Sequence, residues 1–257
     1  MVDMFKGKTA LVTGGSSGIG KAVSLQLARE GAHVEVVASS DMAKAEAVVA
    51  EIAAAGGSAT PHVADVRRPD HVAQLVGNVE GLRGGIDMLV TAAGVFQPSP
   101  IGATDLETFD QMVDTNFRSA FLCVNAVAPG MAARGSGKIV CFSSVASVIG
   151  VKGFSAYCAT KAAVSMMVRS LAIELAPQGI NINAVAPGNT ATPMNAAVRT
   201  DPANIAFLEE MKKRTPSPQV FSDPEDIAGL VLFLLSHRAR AMHGSTVLMD
   251  EGLSAGI

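Results

Sequence analysis

Short apolar runs rich in β-branched residues recur along the chain, and longer segments with helical periodicity separate most of them. The predicted strands are residues 8–14, 32–39, 58–66, 86–94, 137–144, 182–188 and 245–250. The predicted helices are residues 18–30, 41–55, 69–81, 105–133 and 154–176. Strands that are apolar throughout and alternate with helices indicate a parallel sheet covered on both faces. With right-handed crossovers, this pattern predicts an α/β, doubly wound, Rossmann-like sheet of about seven strands.

One segment, residues 188–226, departs from this alternation because it is rich in proline, threonine and charged residues. We expect a loop with one short helix there, placed about where a lid over a cleft would lie. No linker or low-complexity segment divides the chain. Residues 1–257 are therefore expected to form a single domain.

The composition narrows the class of protein. Hydrophobic residues make up 49% of the chain and charged residues 17%, which is typical of a compact globular protein and argues against disorder. The net charge is −3 and no block of like charge occurs. Nucleic acid is therefore not an expected partner.

Several features bear on location. Charges stand beside a very short apolar run near the N-terminus, so we expect no signal peptide. The longest apolar stretch, residues 227–235, is less than half the length of a membrane span. Cys123, Cys141 and Cys158 are widely spaced in apolar contexts, and the five histidines show no metal-ligand spacing. We therefore expect buried, reduced cysteines, no metal, no membrane partner and a cytoplasmic location.

A glycine-rich loop, TGGSSGIG at residues 13–20, joins the first predicted strand to the first helix. Gly14 permits a tight turn, Gly18 lets the backbone approach a pyrophosphate, and Gly20 allows the helix to lie close to the sheet. The helix N-terminus would offer unpaired N–H groups to the phosphates. The spacing differs from the commoner G-x-G-x-x-G, and a plain turn is the alternative. Between strand and helix, the loop indicates nucleotide binding.

The end of the second predicted strand bears on which dinucleotide binds. An NAD site places a carboxylate there for the ribose hydroxyls, whereas this strand ends in Ser39 and Ser40, with no acid before Asp41. Hydroxyl groups tolerate a 2′-phosphate better than a carboxylate does. Against this, either serine could cap the next helix, and no arginine is nearby, since residue 17 is serine. The pattern favours NADP, with NAD as the alternative.

The stretch SAYCATKAA contains Tyr157, the only tyrosine of the chain, and Lys161 four positions later. On a helix these residues share one face. A free phenol titrates near pH 10, and a neighbouring ammonium group lowers that pKa toward a useful range. Ser143 and Ser144 end the fifth predicted strand, where a hydroxyl could hold a substrate carbonyl beside the phenol. The alternatives are an exposed helical pair and serines that cap a turn.

Four features occur in a set order along the chain: TGGSSGIG, Ser144, YCATK and Pro187-Gly188. With these features, the chain resembles the classical short-chain dehydrogenase/reductase family over essentially its full length. The resemblance implies that Ser144 orients the substrate oxygen and that Tyr157 transfers the proton. Lys161 would lower the pKa of the tyrosine and bind the nicotinamide ribose. Asn116 matches the residue that holds a water in a proton relay, although an asparagine on a polar helix face is the alternative.

The resemblance also extends the set of residues expected at the cofactor. Asp65 and Val66 match the pair that flanks the adenine, although Asp65 could equally cap the next helix, and Thr192 matches the residue near the nicotinamide amide. The full expected set is Gly14, Ser16, Ser17, Gly18, Ile19, Gly20, Ser39, Ser40, Asp65, Val66, Ala93, Gly94, Tyr157, Lys161, Pro187, Gly188, Thr190 and Thr192.

Three stretches depart from the family pattern. Residues 91–94 read Thr-Ala-Ala-Gly where Asn-Asn-Ala-Gly is usual, which removes amides behind the cofactor. Asn189 and Thr190 replace bulky residues, so the nicotinamide pocket is expected to be more polar. Residues 250–252 read Asp-Glu-Gly where Asp-Gly-Gly is common. None of these changes removes a predicted catalytic group.

We therefore expect an enzyme that transfers a hydride reversibly between a nicotinamide cofactor and a carbonyl or secondary alcohol. The strand ends resemble those of some 3-oxoacyl-carrier-protein reductases; sugar, polyol or cyclic-alcohol dehydrogenases are the alternatives. A non-enzymatic dinucleotide sensor is a minor alternative from another class. Residues 212–214 form a basic patch that could receive an acyl carrier, but Glu209 and Glu210 favour a mixed solvated face.

The apolar residues near the predicted catalytic groups suggest a substrate pocket or, equally, core: Val95, Phe96, Val145, Phe154 and Met194. Family resemblance further implies a homotetramer built by helices 105–133 and 154–176 and by the C-terminal strand.

Overall fold

The computed structural model describes residues 4–256. Residues 1–3 and 257, which include both ends of the predicted domain, lie outside the described residues.

Seven parallel strands form one sheet, in the spatial order β3-β2-β1-β4-β5-β6-β7. The strands are β1 Thr9–Thr13, β2 His33–Ala38, β3 Ser58–Val63, β4 Met88–Thr91, β5 Gly137–Phe142, β6 Ile180–Pro187 and β7 Thr246–Met249. Strands β1 to β3 are added toward one edge of the sheet, and the chain then returns to place β4 on the other side of β1. The direction in which strands are added therefore reverses between β1 and β4. Clefts for ligands form at such points, beyond the carboxyl ends of the strands.

Helices cover both faces of the sheet. The α-helices are α1 Gly18–Arg29, α2 Met42–Ala54, α3 Pro69–Arg83, α4 Leu106–Val113, α5 Ser119–Ala133, α6 Ser155–Leu175, α7 Ala196–Thr200, α8 Ile205–Arg214 and α9 Pro224–Leu235. Helices α1, α2 and α9 pack on one face and α3, α5 and α6 on the other. The predicted doubly wound, Rossmann-like fold is confirmed.

The two faces explain why the strands are apolar throughout. In β1, Ala10 and Val12 pack into the core beneath α1 and α9, whereas Leu11 packs into the core beneath α3 and α5. All three are at most 1% exposed. Successive strand residues point to opposite faces, so a strand covered on both sides is hydrophobic at most positions, and buried Glu35 on β2 is an exception.

The predicted helix at residues 105–133 is continuous but changes its winding. A π-helical turn, Asp114–Arg118, separates α4 from α5 and contains Asn116. Such turns insert one residue into a helix and frequently occur at functional sites. The hydrophobic pattern alone could not reveal this turn, because both flanking helices keep normal periodicity.

Residues 188–226 contain more helix than the one short helix predicted: α7, α8, single turns at 193–195 and 202–204, and the start of α9. Helix α9 was missed although its start carries the usual signals, Asp223 at the N-cap, Pro224 at the first position and two acids in the first turn. Within residues 4–256, no helix has the length and apolarity needed to cross a bilayer.

Candidate active site

One cavity of about 620 Å³ lies at the carboxyl ends of the strands. All the residues predicted to contact the cofactor line it, and so does Ser144. Asn116 and Phe154 do not line it, whereas Val95, Phe96, Val145 and Met194 do. The structure therefore brings the glycine loop, the end of β2 and the Ser–Tyr–Lys group to a single site.

The glycine loop packs against the residues that directly follow β4. Gly14 has φ +66°, and a Cβ atom there would lie 2.8 Å from the backbone nitrogen of Ala93. Gly18 has φ +51° at the first position of α1. Both conformations favour glycine. Among the described residues, no side chain caps α1, since the Ser17 hydroxyl makes no such bond, so the first N–H groups of the helix remain available to phosphate oxygens.

At Gly94 the cavity wall also consists of backbone without a side chain. A Cβ atom at this position would come within 3.3 Å of Asn116 Oδ1 and 3.7 Å of Lys161 Nζ. The absence of a side chain keeps the wall beside Lys161 flat, which allows close approach of a flat ring or a ribose. The loop, the open helix N-terminus and this flat wall fit a dinucleotide.

The end of β2 offers hydroxyl groups and no carboxylate. Ser39 and Ser40 are exposed and line the cavity. The next acid, Asp41, instead accepts a hydrogen bond from the Ala43 N–H at 3.1 Å and so caps α2. Contrary to the sequence expectation, an arginine does line the cavity. Arg67 Nε and Nη2 each donate to Asp65 at 2.8 Å, so that guanidinium already has a carboxylate partner.

The two adjacent serines after β5 have different surroundings. The Ser143 hydroxyl donates to the Lys161 carbonyl at 2.9 Å and bonds Ser165 Oγ at 2.7 Å, which ties the end of β5 to α6. Ser144 Oγ lies beside the Tyr157 phenol and also accepts a bond from the Ala146 N–H at 3.2 Å. Ser144 is therefore the hydroxyl that can share a substrate oxygen with the phenol.

Helix α6 places Tyr157 and Lys161 together on the wall of the cavity. Lys161 Nζ lies 5.8 Å from the centre of the Tyr157 ring, over its face, and donates to the Phe142 carbonyl at 3.0 Å. Phe96 meets the Tyr157 ring edge-on, with ring centres 4.8 Å apart, and stacks on Phe154 at 4.4 Å. The phenol is thus held between a cation and an aromatic pair.

The protonation of this pair differs from the sequence expectation. Burial raises the pKa of Tyr157 above its ordinary value of 10, and the Ser144 hydroxyl offsets only part of that rise. Burial lowers the pKa of Lys161 to about 8. The net direction of the Tyr157 pKa is therefore opposite to the one predicted, because loss of water around the phenol outweighs the hydrogen bond from Ser144. At neutral pH the phenol is protonated and the lysine is largely charged.

Asn116 acts from behind the cavity wall. Its side-chain oxygen accepts from the Val95 N–H at 2.8 Å, and its amide donates to the Val95 carbonyl at 2.9 Å and to Thr160 Oγ1 at 3.3 Å. The side chain is 2% exposed. It thus joins the π-helical turn to the loop after β4 and to α6, and one acceptor position on its oxygen remains for a water.

Sequence reasoning missed the capping of α6. Phe154 occupies the N-cap position and its side chain caps nothing among residues 4–256. Instead Ser99, from the loop after β4, accepts the Ala156 N–H at 3.1 Å and donates its own N–H to the Gly153 carbonyl at 2.6 Å. The cap comes from a residue far away in sequence, so no local pattern could indicate it.

Two of the three departures from the family pattern have structural consequences. Glu251 has φ +57°, the left-handed region that favours glycine, and its carboxylate accepts a bond from Ser222 Oγ at 2.8 Å. The Thr91 hydroxyl is buried and lies beside the Cys141 thiol on the neighbouring strand. Asn189 and Thr190 line the cavity as expected, although the surrounding wall remains mainly apolar.

The cysteines form no disulfide within the described residues. Cys123 and Cys141 are buried as predicted, and burial raises the pKa of their thiols to about 12 and about 11. Cys158 is only half-buried, so the prediction of three buried cysteines is wrong at that position.

Comparison with known proteins agrees with this geometry. A family model described as Enoyl-(Acyl carrier protein) reductase matches residues 14–254. The chain is 36% identical to a 3-oxoacyl-[acyl-carrier-protein] reductase of Staphylococcus epidermidis, over 96% of this chain and 98% of that protein. It is 34% identical to the 2,5-dichloro-2,5-cyclohexadiene-1,4-diol dehydrogenase of Sphingobium indicum over the whole of both chains.

A solved structure is also similar. It is described as an NAD(P)-dependent gluconate 5-dehydrogenase from Beutenbergia cavernae with NADP bound at low occupancy. The TM-score is 0.91 at 35% identity, and the match covers 99% of this chain and 100% of that one.

The fold, the site and these matches define the class of protein: the chain belongs to the classical short-chain dehydrogenase/reductase family. The predicted reaction class is confirmed with it. The protein is a nicotinamide-dependent oxidoreductase that acts on C=O and CH–OH groups.

Proposed function

We propose that the protein transfers a hydride reversibly between NADP(H) and a ketone or secondary alcohol, with Tyr157 as proton donor and acceptor. The observation that carries this proposal is the shared cavity of Ser144, Tyr157 and Lys161, in which the ammonium lies 5.8 Å from the centre of the phenol ring. The bound nicotinamide would supply or accept the hydride.

The chain itself supplies orientation and the proton. The Ser144 hydroxyl donates to the substrate oxygen and steadies it beside the phenol. In reduction, the protonated Tyr157 gives its proton to the developing alkoxide; in oxidation, its phenolate takes the proton from the alcohol. The charge on Lys161 stabilises the phenolate when it forms, and its remaining donors suit a ribose hydroxyl. Asn116 holds the loop that carries Val95, and its free acceptor suits a relay water.

Substitution of the phenol tests this mechanism. Tyr157→Phe keeps the ring packed against Phe96 but removes the transferable proton, so kcat should fall by at least about a thousandfold. The Kd for NADPH, measured by fluorescence titration, should change little, which shows that the cofactor site is intact. Cys158→Ser, which alters the neighbouring residue without touching the proton path, is the control. Turnover retained by Tyr157→Phe contradicts the proposal.

We take the cofactor to be NADP rather than NAD for two reasons. The end of β2 presents the hydroxyl groups of Ser39 and Ser40 to the cavity, and the next acid, Asp41, caps α2. A carboxylate at this point would repel a 2′-phosphate. Parallel titrations with NADPH and NADH should give tighter binding of NADPH by about tenfold or more. Tighter binding of NADH contradicts this half of the proposal.

For the substrate, the reduction of a 3-oxoacyl group is supported by the relative from Staphylococcus epidermidis. A cyclic-alcohol or polyol dehydrogenase is the alternative, supported by a relative named as a cyclohexadiene diol dehydrogenase and a solved structure described as a gluconate 5-dehydrogenase. A basic docking patch for an acyl carrier receives little support from residues 212–214. Lys212 pairs with Glu209 at 2.7 Å, which leaves a face of mixed charge.

Residues 188–226 act as the lid of a single catalytic domain formed by residues 1–257. Both ends of this segment are tied to each other: the Ser222 N–H donates to the Asn189 carbonyl at 2.9 Å, and the Ala191 N–H donates to the Ser222 carbonyl at 2.9 Å. Helices α7 and α8 lie between these ties. Paired ends of this kind would let α7 and α8 move together over the cavity, as a lid does.

A homotetramer and a cytoplasmic location complete the proposal. Apolar side chains are exposed on the helices expected at subunit contacts, among them Phe121 on α5 and Met166 and Ile173 on α6. Leu248 on β7 is also exposed. Patches of this kind mark protein contacts, and light scattering of the purified protein would give the mass. Three unpaired thiols suit a reducing compartment.

A further inference from the structure

The part of the cavity beyond Ser144 and Tyr157 differs from the part that surrounds the glycine loop. It includes the side chains that residues 188–226 contribute to the cavity. Its wall consists of aliphatic, thioether and aromatic side chains, and we call it the distal chamber. The residues that define it are Phe96, Val145, Ile149, Met194, Phe207 and Met211.

Polar groups near the distal chamber are mostly engaged already. Asn195 accepts bonds from the Thr192 N–H at 3.2 Å and Arg199 Nε at 3.3 Å and donates to the Thr190 carbonyl at 2.7 Å. Gln111 accepts from Gln97 Nε2 at 3.1 Å. Of the three side-chain amides that line the cavity, Asn189 alone makes no hydrogen bond with the described residues. A substrate with many hydroxyl groups would therefore find partners mainly at Asn189, at the N–H groups of Gln111 and on α8, and would bury its other hydroxyls against apolar side chains.

Helix α8 sets the charge at the mouth of the chamber. Phe207, Glu210, Met211 and Arg214 line the cavity at helical spacing, so one face of α8 is turned toward it. Glu210 and Arg214 are four residues apart on that face and have opposite charges. Both are exposed. Helix α8 therefore contributes no net charge to the cavity that would favour a carboxylate substrate.

The wall nearest the phenol is aromatic. Phe96 lines the cavity, meets Tyr157 edge-on at an angle of 83° and is backed by Phe154, whose ring is nearly parallel to it at 2°. The backing ring limits movement of Phe96. A substituent of a carbonyl carbon held at Tyr157 would lie against this ring and not against a polar group.

From these observations we infer that the substrate is a ketone or secondary alcohol with an apolar body and at most one or two further polar groups, and not a sugar acid or polyol. This inference rests on the proposed function. Burial of one methylene contributes about fourfold to kcat/KM, which is about 0.8 kcal/mol converted at about 1.4 kcal/mol per tenfold. A hydroxyl buried without a partner reduces kcat/KM by about 5- to 100-fold.

A homologous series of substrates tests the inference. With NADPH as reductant, kcat/KM is measured for straight-chain methyl ketones from butanone to octanone, for cyclohexanone and for keto-gluconate. Each straight-chain ketone is paired with an analogue in which a hydroxyl replaces the terminal methyl group. We expect kcat/KM to rise about fourfold per methylene over the first members and to fall at least fivefold in each hydroxyl analogue.

Two variants connect the result to the distal chamber. Phe207→Ala and Met211→Ala should flatten the rise of kcat/KM with chain length while leaving the Kd for NADPH within about twofold. Ile205→Ala removes a similar side chain from α8 outside the cavity and should leave the chain-length dependence unchanged. Equal flattening in all three variants would show that α8 folding, and not the chamber wall, sets the preference, and would overturn the inference.

The outcomes separate the inference from the proposed function. A flat series with efficient turnover of keto-gluconate overturns the inference and leaves hydride transfer intact. Absence of turnover with every carbonyl, while NADPH still binds, overturns the proposed function and the inference with it. A rising series that the chamber variants flatten supports both.

Discussion

At the scale of single residues, the burial of Tyr157 and Lys161 determines which protonation states are present. Burial raises the pKa of the phenol above 10 and lowers the pKa of the ammonium to about 8. A proton donor must be protonated and the nearby lysine charged, and both conditions hold at neutral pH. The free protein is therefore poised for reduction of a carbonyl, and oxidation needs the phenolate, which only higher pH supplies.

These protonation states predict different pH profiles for carbonyl reduction and for alcohol oxidation. For ketone reduction, kcat/KM should be level near neutrality and fall as pH rises through about 8, because Lys161 then loses its charge. For alcohol oxidation, kcat/KM should rise with pH up to about 8 as the phenolate fraction grows, and level off above that because Lys161 then loses the charge that stabilises the phenolate. Steady-state rates from about pH 6 to 10 give both profiles.

A variant tests whether Lys161 is the group whose titration lowers kcat/KM for reduction above about pH 8. Lys161→Arg keeps a positive charge throughout this range, so the fall of reduction above pH 8 should disappear in that variant even if its maximum rate is lower. A reduction profile that falls at the same pH in Lys161→Arg would show that another group titrates there.

At the scale of elements, the position of Tyr157 depends on how α6 begins. Ser99 caps this helix from the loop after β4, with Oγ accepting the Ala156 N–H at 3.1 Å. Ser99 is 2% exposed. Ser99→Ala leaves that N–H without its partner, so the free energy of unfolding should fall by about 1–2 kcal/mol. The first turn of α6, which carries Tyr157, should also loosen.

Looser positioning of the phenol should lower kcat severalfold with little change in the Kd for NADPH, as measured by steady-state kinetics and titration. Ser155→Ala is the matched control, because its hydroxyl is exposed and makes only a 3.5 Å bond to the Ser99 carbonyl. If both variants lose activity equally, the Ser99 cap does not explain the position of Tyr157.

The elements also show what sequence patterns can and cannot predict. The strands were predicted because both faces are covered, which makes residues such as Ala10, Leu11 and Val12 apolar without interruption. The π-helical turn at Asn116 was not predicted, because the hydrogen bonds of its side chain connect it to Val95 in a distant loop and not to neighbours in sequence. Motif spacing placed the glycine loop correctly in the fold.

The protonation of the site was less predictable than its composition. Spacing shows that Tyr157 and Lys161 share a helix face, and the structure agrees. Their pKa values depend on desolvation by the whole cavity, which no local pattern records. The same holds for α8, whose cavity-facing residues Phe207 and Met211 become recognisable only once the rest of residues 188–226 is in place.

At the scale of the whole molecule, a charged cluster holds the outer edge of the sheet. Glu35 on β2 is 2% exposed, and His62 Nε2 on β3, Arg83 Nε on α3 and His33 Nε2 on β2 lie 2.5, 2.8 and 3.3 Å from its carboxylate oxygens. Strand β3 is the edge strand. One carboxylate therefore connects the edge strand, its neighbour and the helix that covers them.

This cluster predicts how stability depends on acid. Burial by itself raises the pKa of Glu35, but the hydrogen bonds from His33, His62 and Arg83 outweigh it and hold the pKa far below the ordinary value of 4.5. A carboxylate with a lowered pKa stabilises the folded state fully above its unfolded-state value and loses that contribution as the pH falls below it. The free energy of unfolding should therefore decline from about pH 4.5 downward.

Glu35→Gln separates this carboxylate from the other acids of the chain. The variant lacks the charge that His62 and Arg83 surround, so at neutral pH its free energy of unfolding should be about 2–3 kcal/mol lower. Its further loss on acidification should be shallower than that of the wild type, because the group that titrates is gone. Urea denaturation between about pH 3 and 7 measures both quantities. The exposed Glu46→Gln should follow the wild-type curve, and parallel curves for all three proteins would show that Glu35 does not govern the acid response.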